Sequence, residues 1–511
     1  MSDREQSIPV IAPDIGLVTG AARHALPDRA WAKVLNARFR KGRAEKVPGY
    51  IKVQALALDS RVMGLYDFRR TDGFQAWIAV TKTKVWKKES LDATFVDITG
   101  ASPLTGGDDD WADFTVFKDV LIITNGADPV KKWTGSGNIA NLGGSPPKAR
   151  RVTTFQNHVV LAWIDPHGTS PQPQTIQWSD LGLSETWVGG EAGAMTFVDE
   201  PSGVLEVMPL RDSLIAYKED AIYLVDYTGF PFTMQTRRLA TGIGPISSRI
   251  VVDARDTHYF ISSDNQVYKL TLSGPEIVGQ AVQFGLFDEL NFQYAHRAFG
   301  FLNGPENEAH FVIPTGGEVN PNIDYILNYL DVKWGRRELA ATAAAPKGAR
   351  QLNTLTWNDV TSSWDSQPGT WNSSQYAVGA NIILHGTIGG VVHKHSAGEV
   401  DADGVAIDAD IEGKMFDFGD AGKKKRLLRL HVHYNLSAGT TLSIYVLTAP
   451  GPDVTPTVNG PYTLVLDGTG DQWVDLNLTA TYFGFRFRNN SLSQTFGLTG
   501  FVPVFYMRET T

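Results

Sequence analysis

The stretch GVLEVMPLRDSLIAYKEDAIYLVDYTG, Gly203 to Gly229, alternates apolar and polar residues in short runs bounded by Asp, Pro and Gly. Alternation with period two is the signature of half-buried strands, and polar breaks between the runs mark tight hairpins. SSRIVVDARDTHYFISSDNQVYKLTLSG (Ser247 to Gly274) repeats the scheme. So do VMGLYDFRRTDGFQAWIAVTKTKVWKK (Val62 to Lys88), with a turn at Thr71-Asp72-Gly73, and WADFTVFKDVLIITNGADPVKKWTG (Trp111 to Gly135), with turns at Lys118-Asp119 and Asn125-Gly126. RVTTFQNHVVLAWID (Arg151 to Asp165), closed by TIQWSD (Thr175 to Asp180), is a further copy. Weaker copies are RAFGFLNGPENEAHFVI (Arg297 to Ile313) and GANIILHGTIGGVVHKH (Gly379 to His395).

A repeat of roughly 40 to 50 residues, each a small antiparallel sheet, is the pattern of propeller blades. One blade cannot bury both faces, whereas six or seven packed radially can, and closure of the ring removes exposed edges. The reading is therefore all-β: a β-propeller of six clear blades and a weaker seventh over residues 61–400. Beyond 400 the runs DADIEGKMFDFGDAGKKKRLLRLHVHYNL, TTLSIYVLTA, PYTLVLD, DQWVDLNL, YFGFRFRNN and SLSQTFGLTGFVPVFYM predict a C-terminal β-sandwich or jelly-roll-like domain over 401–511. Residues 1–60 read as an N-terminal arm and hairpin, with a turn or two of helix within Ala21–Leu35, broken by Pro27.

Composition agrees with many short elements and a large core. The chain has 511 residues, 42% hydrophobic, with 50 Gly and 26 Pro distributed along it. Cysteine is absent, which excludes disulfides, thiolate metal sites and a cysteine nucleophile. The first residues lack a basic start followed by an apolar run, and no span of about 18 apolar residues occurs, so neither a secretory signal nor a membrane helix is expected. A formal charge of −9 argues against broad affinity for a phosphate backbone.

The candidate chemistry is sparse. His393 and His395, and again His431 and His433, stand two apart, so each pair shares a strand face, but with Glu399 one residue out of register no convergent third ligand is visible. WSDLGLSETW (Trp178 to Trp187) and SSDNQVYKL (Ser262 to Leu270) only loosely resemble the Asp-box turn of sialidase-type propellers. Asp108 to Asp110 reads as a solvated loop, TGSGNIANLGG (Thr134 to Gly144) lacks the Lys-Ser/Thr ending of a phosphate loop, and GKKKRLLR (Gly422 to Arg429) reads as a protected sheet edge. No Gly-x-Ser-x-Gly elbow occurs. No catalytic, metal or cofactor residues are assigned.

The basic stretch NARFRKGRAEKVPGY (Asn36 to Tyr50) predicts a hairpin turning at Lys41-Gly42, with Arg38, Arg40, Lys41 and Arg43 along an exposed face and Glu45 as a neighbour. Arg38, Arg40, Lys41, Arg43, Glu45 and Lys46 are accordingly the candidate subunit-contact residues. This motif resembles the N-terminal segment of tail nozzle proteins of short-tailed phages, also called packaged-DNA stabilisation proteins. Leu210 to Tyr268 resembles their central blades, and GGVVHKHSAGEVDADG with GKKKRLLRLHVHY resembles the junction into their C-terminal strands. The resemblance implies a non-enzymatic virion protein of the phage tail, assembled in the host cytoplasm. It implies a homo-hexameric ring, with portal and adaptor proteins above and spike, fibre or needle proteins below. Packaged DNA would be retained there and ejected through the ring without sequence-specific binding. It implies no cofactor and no membrane span. The alternative is a glycan-binding or glycan-cleaving propeller of a phage tail.

Overall fold

The computed structural model describes residues 5–91, 93–165, 170–352, 381–395, 398–435 and 438–507. It is an all-β protein built on a β-propeller of seven antiparallel sheets. The first five are free-standing four-stranded sheets whose innermost strands are Val62–Arg69, Asp113–Phe117, Lys148–Phe155, Val204–Leu210 and Val252–Asp253. The sixth, Phe299–Asn303 to Lys333–Glu338, is the end of a larger 11-stranded sheet. The seventh runs from Ala343–Ala344 through Asn381–Gly386 and Val392–His395. Every module read from the sequence is a blade, including the weaker sixth and seventh.

Turn chemistry explains why these runs fold back on themselves. Lys118 and Asp119 have φ of 48° and 64°, and Lys41 and Gly42 have φ of 50° and 77°, the paired left-handed conformation of two-residue hairpin turns. The Asn125 side chain accepts from the backbone N–H of Ala127 and Asp128 at 3.1 and 2.8 Å, an Asx turn that redirects the second blade.

Ring closure uses the N-terminal segment. Ile51–Lys52 pairs antiparallel with Val392–His395 as the outermost strand of the seventh blade. On its inner side that blade lies against the first so tightly that a Cβ on Gly386 would come within 2.4 Å of Val62. Only a glycine fits there.

The predicted division into three consecutive units is corrected in two places. Residues 5–60 are not a separate arm: Gly16–Leu17 and Ala30–Leu35 join one sandwich sheet, and Gln6–Ser7 and Val10–Ile11 pair with Gly497–Met507 of the other. The helix expected within Ala21–Leu35 is absent; Ala30–Leu35 is a strand because pairing with Ala409–Phe416 and burial of Trp31 and Val34 override local helix propensity. The hairpin Ala37–Arg40/Arg43–Lys46 joins blade six, through Arg336 opposite Ala37, to Gly497–Met507 of the sandwich. One sheet therefore runs from propeller to sandwich, and one continuous apolar core runs from blades four to six into it, including Phe260, Phe311, Trp31, Phe487 and Phe501. The run Gly422–Arg429, expected as a protected sheet edge, instead leads into Lys425–Tyr434, which is central and paired on both sides, with Lys425 buried and donating to backbone carbonyls of Asp420 and Thr481.

Candidate functional site

Two buried polar regions stand out. The first lies on the propeller axis, where a void of about 390 Å³ is lined by Asp67, Thr115, Thr153, Glu206, Asp253, Gly300 and Ala343, one residue from each inner strand. That is a small-molecule volume. Arg151 stands between two carboxylates, its Nε 3.6 Å from Glu206 and its Nη1 4.0 Å from Asp113. Its shorter bonds go elsewhere, from Nε to the Leu205 carbonyl at 3.1 Å and from Nη2 to Ser248. Backbone N–H groups also reach the carboxylates, from Val152 to Asp113 at 2.8 Å and from Val207 to Glu206 at 2.9 Å. Burial nevertheless dominates. It pushes Glu206 up to about 8, with Asp113 adding to the rise and Arg151 only moderating it, and it raises Asp113 as well. At neutral pH this pair holds a proton.

The second region is built from the basic hairpin. Arg38 and Glu45 face each other across its two strands. The expectation of cations along an exposed face is wrong, because both faces of this hairpin are covered: Arg38, Glu45 and Lys46 are buried, Arg40 and Arg43 are half-buried, and Lys41 at the turn is exposed. Arg38 Nη1 grips both oxygens of Glu308 in blade six, at 3.1 and 3.2 Å. Glu45 draws in Arg40 at 2.7 Å and also Arg43, and Arg40 reaches Glu306. Lys46 donates to Asn489 Oδ1 and to the Gln494 carbonyl, at 2.8 and 2.9 Å, in the sandwich. The predicted neighbour Glu45 is therefore real, but the partners of these side chains lie within the chain.

From Glu308 the network continues inward. His310 stacks on Phe301 with ring centroids 4.5 Å apart and bonds Asp324 through Nδ1 at 2.8 Å. Arg337 Nε donates to the same Asp324 oxygen at 2.6 Å, and its Nη1 lies 3.3 Å from His395 Nδ1. His395 Nε2 is 2.8 Å from His385 Nδ1. Because Arg337 can only donate, His395 accepts at Nδ1, carries its proton on Nε2 and donates it to His385. Burial holds both of these histidines far below the usual imidazole range, so they are neutral. His310 goes the other way: burial would lower it, but Asp324 and Glu308 raise it. Burial alone would raise Glu308, yet Arg38 and His310 hold it at about 2.

The remaining sequence candidates take structural places. His393 and His395 lie on the predicted strand, but the residue that joins them is His385, stacked on His393 at 4.8 Å, with Tyr50 packed against all three rings. No group of three metal-ligating side chains suited to an ion occurs among the described residues. His431 and His433 face Asp471 at 3.9 and 3.2 Å. Asp180 accepts the backbone N–H of Leu181 and Glu191, both at 2.8 Å, and so shapes its loop. Asp108 and Asp109 are more than solvated: they pair with Lys82 at 2.8 Å and Arg297 at 2.7 Å. Thr134 to Gly144 lies between strands and carries the short strand Ala140–Asn141. Sequence reading missed Glu308, Asp324, Arg337 and His385, which sit as ordinary alternating strand residues until blade six and blade seven meet.

No family model and no curated protein sequence matches the chain. Among solved structures it is similar to PorZ, a surface component of the type-IX secretion system of Porphyromonas gingivalis, at 12% identity and a TM-score of 0.37, covering 83% of this chain but only 46% of that one. It is similar to the WD40 domain of Pan2 from Neurospora crassa at 11% identity and a TM-score of 0.38, over 68% of this chain and 95% of that one. It is also similar to BamB from Moraxella catarrhalis at 12% identity and a TM-score of 0.35, over 77% of this chain and 97% of that one.

Proposed function

We propose that the chain is a structural subunit of a short-tailed phage tail, forming a nozzle ring that retains packaged DNA and serves as its exit. The observation that carries this reading is the role of Asn36 to Tyr50. The segment that most resembles nozzle proteins is the one that pairs blade six with the sandwich and leads into the strand that closes the ring. A collar that must resist the pressure of packaged DNA needs its two parts to move as one body, and a shared sheet supplies that. The axial void of one propeller, about 390 Å³ and crossed by charged side chains, is far too small for a duplex. The conduit is then the lumen of the assembled ring, and a net charge of −9 suits a wall that repels phosphates.

Negative-stain electron microscopy with mass photometry, on the protein alone and mixed with portal-proximal tail components from its source, tests this. Sixfold rings with a central hole are expected; a monomer in both samples overturns the conduit role. A computed ring surface with a basic lumen would overturn the repelling wall.

A second reading rests on Asp113 and Glu206. Two carboxylates, Glu206 buried and Asp113 half-buried, that share a proton at neutral pH in a cavity of about 390 Å³ are what a glycan-cleaving propeller would use. Hydrolysis of host surface glycans, abolished in Glu206→Gln, would establish it.

A further inference from the structure

Three arginines in this chain hold a carboxylate in the same way, with Nε on one oxygen and Nη2 on the other. Arg297 grips Asp109 at 2.7 and 3.2 Å, Arg488 grips Asp408 at 2.8 and 2.6 Å, and Arg486 grips Asp410. This edge of the guanidinium is the fork that matches two oxygens of one oxyanion. Arg61, just before the innermost strand of the first blade, presents the same edge with nothing on it. Its side chain is buried, the residue being 5% exposed, yet neither Nε nor Nη2 has an acceptor.

The surroundings repeat the deficit. Arg61 lies over the Trp111 ring at 4.6 Å and Arg249 over the same ring at 3.6 Å. Trp111 Nε1 and Arg249 Nε are also buried donors without an acceptor. Three side chains thus offer four unmet N–H groups around one indole. The nearby carboxylates are already taken, Asp108 by Lys82 and Asp109 by Arg297 and His296. Burial, then the charge of Arg297, pushes Arg61 down to about 10, with Asp108 and Asp109 only moderating the fall. Trp111 lines a vestibule of about 400 Å³, bounded also by Arg150, Trp163 and Phe292 and by the acidic Asp109, Glu219 and Asp220, and Arg249 lines the axial void beyond. Buried donors in such numbers are costly unless something accepts from them.

We propose that Arg61, Trp111 and Arg249 form an oxyanion site at the mouth of the propeller axis, in which the Arg61 fork takes two oxygens of a phosphate or carboxylate group. The site is independent of the nozzle reading, since it belongs to one propeller. Thermal unfolding of the full chain against increasing inorganic phosphate, and separately acetate, in chloride buffers of matched ionic strength, tests it. A saturable rise in Tm is expected for the wild type and none for Arg61→Met. In chloride alone Arg61→Met should melt at or above the wild type, because it removes a buried charge that has no partner. A rise with phosphate alone assigns a phosphoryl ligand, and a rise with acetate alone assigns a carboxylate such as an acidic peptide side chain. No saturable rise with either ion overturns the site, as does an equal, linear rise in both proteins, which is the general salting effect. Should Arg61→Met fail to fold, Arg249→Met takes its place with the same readout.

Discussion

Glu206 and Glu308 are both buried strand glutamates, each beside an arginine, and their environments drive them in opposite directions: up to about 8 in the axial cavity, down to about 2 beneath the hairpin. The difference is not burial. Arg38 meets Glu308 with both oxygens within 3.2 Å, Asn303 adds a bond at 2.9 Å, and His310 stands behind. Arg151 stands 3.6 Å from Glu206 and is shared with Asp113, and its own donors are spent on a carbonyl and on Ser248. A buried ion pair repays its desolvation only when the geometry is good and the remaining lone pairs are satisfied. The hairpin region comes nearer to that condition, with Glu308 held at both oxygens although Arg38 Nε and Asp324 Oδ1 lack a hydrogen-bond partner, and acts as a brace. The axial region does not, and retains uncompensated charge facing a void.

The largest expected effect follows from breaking the brace. Arg38→Met should cost about 3–5 kcal/mol in chemical denaturation, because it strands a buried carboxylate. As the broken pair joins the hairpin to blade six, propeller and sandwich should still melt together, at lower temperature. Arg38→Met combined with Glu308→Leu should recover much of that loss, since neither charge is then left unpaired. Two separate transitions in the single variant would show that the shared sheet does not couple the two parts.

Next comes the cavity side of the comparison. Glu206→Gln should change stability at pH 7 by less than about 1 kcal/mol, or raise it, because the group is already protonated there. The sign is explicit: a carboxyl raised above its unfolded value contributes stability fully below about 4.5 and loses it as pH rises through about 8. Wild type should therefore weaken steadily from about pH 4.5 to about 8 and level off above, a loss that Glu206→Gln lacks in denaturant melts. A steep loss in the variant at pH 7 would mean that Glu206 is ionised and its pairing with Arg151 is real.

On the acid side the histidines decide. His385 and His395 are held neutral by burial, so their stability contribution is complete above about 6.5 and is lost as pH falls below it. His310, raised by Asp324 and Glu308, works the other way, its contribution being complete below about 6.5. His258 and His393 are also lowered by burial, so four against one gives a net loss from pH 7 towards 5, on which Glu206 and Asp113 act in the opposite sense. Their contribution should be subtracted with Glu206→Gln as background. Replacing His385 by Gln should shallow the remaining slope; an unchanged slope would place the titration elsewhere.

What the sequence shows and hides follows from how far each signal travels along the chain. Alternation, Lys118-Asp119, Asn125-Gly126 and Lys41-Gly42 act within a few residues, and every blade and turn they imply is present. The brace is not local. Arg38 meets Glu308 across 270 positions, and Lys46 meets Asn489 across 443, so a strand whose cations alternate looked solvated when both of its faces are covered. The same blindness put a turn or two of helix within Ala21–Leu35, where Ala30–Leu35 is a strand, and read Gly422–Arg429 as an edge, because only pairing with distant strands reveals a strand's place in its sheet. The axial carboxylates were invisible for a related reason: Asp113 and Glu206 come from the blades on either side of Arg151, and only the packing of neighbouring blades brings them to one arginine.

The smallest effect is the one that separates an internal brace from a subunit contact. Lys41 stands at the hairpin turn with φ of 50°, is exposed, and has no ion pair among the described residues. Lys41→Ala should therefore alter stability by no more than about 0.5 kcal/mol, a left-handed backbone position being only slightly harder for alanine. If the hairpin tip also touches a neighbouring subunit, the same variant should leave the melt unchanged while lowering the fraction of rings in mass photometry, most at low salt and less as salt screens the contact. If rings form equally well at every ionic strength, Arg38, Arg40, Arg43, Glu45 and Lys46 serve the single chain alone, and the ring contact must be sought on another face of the propeller.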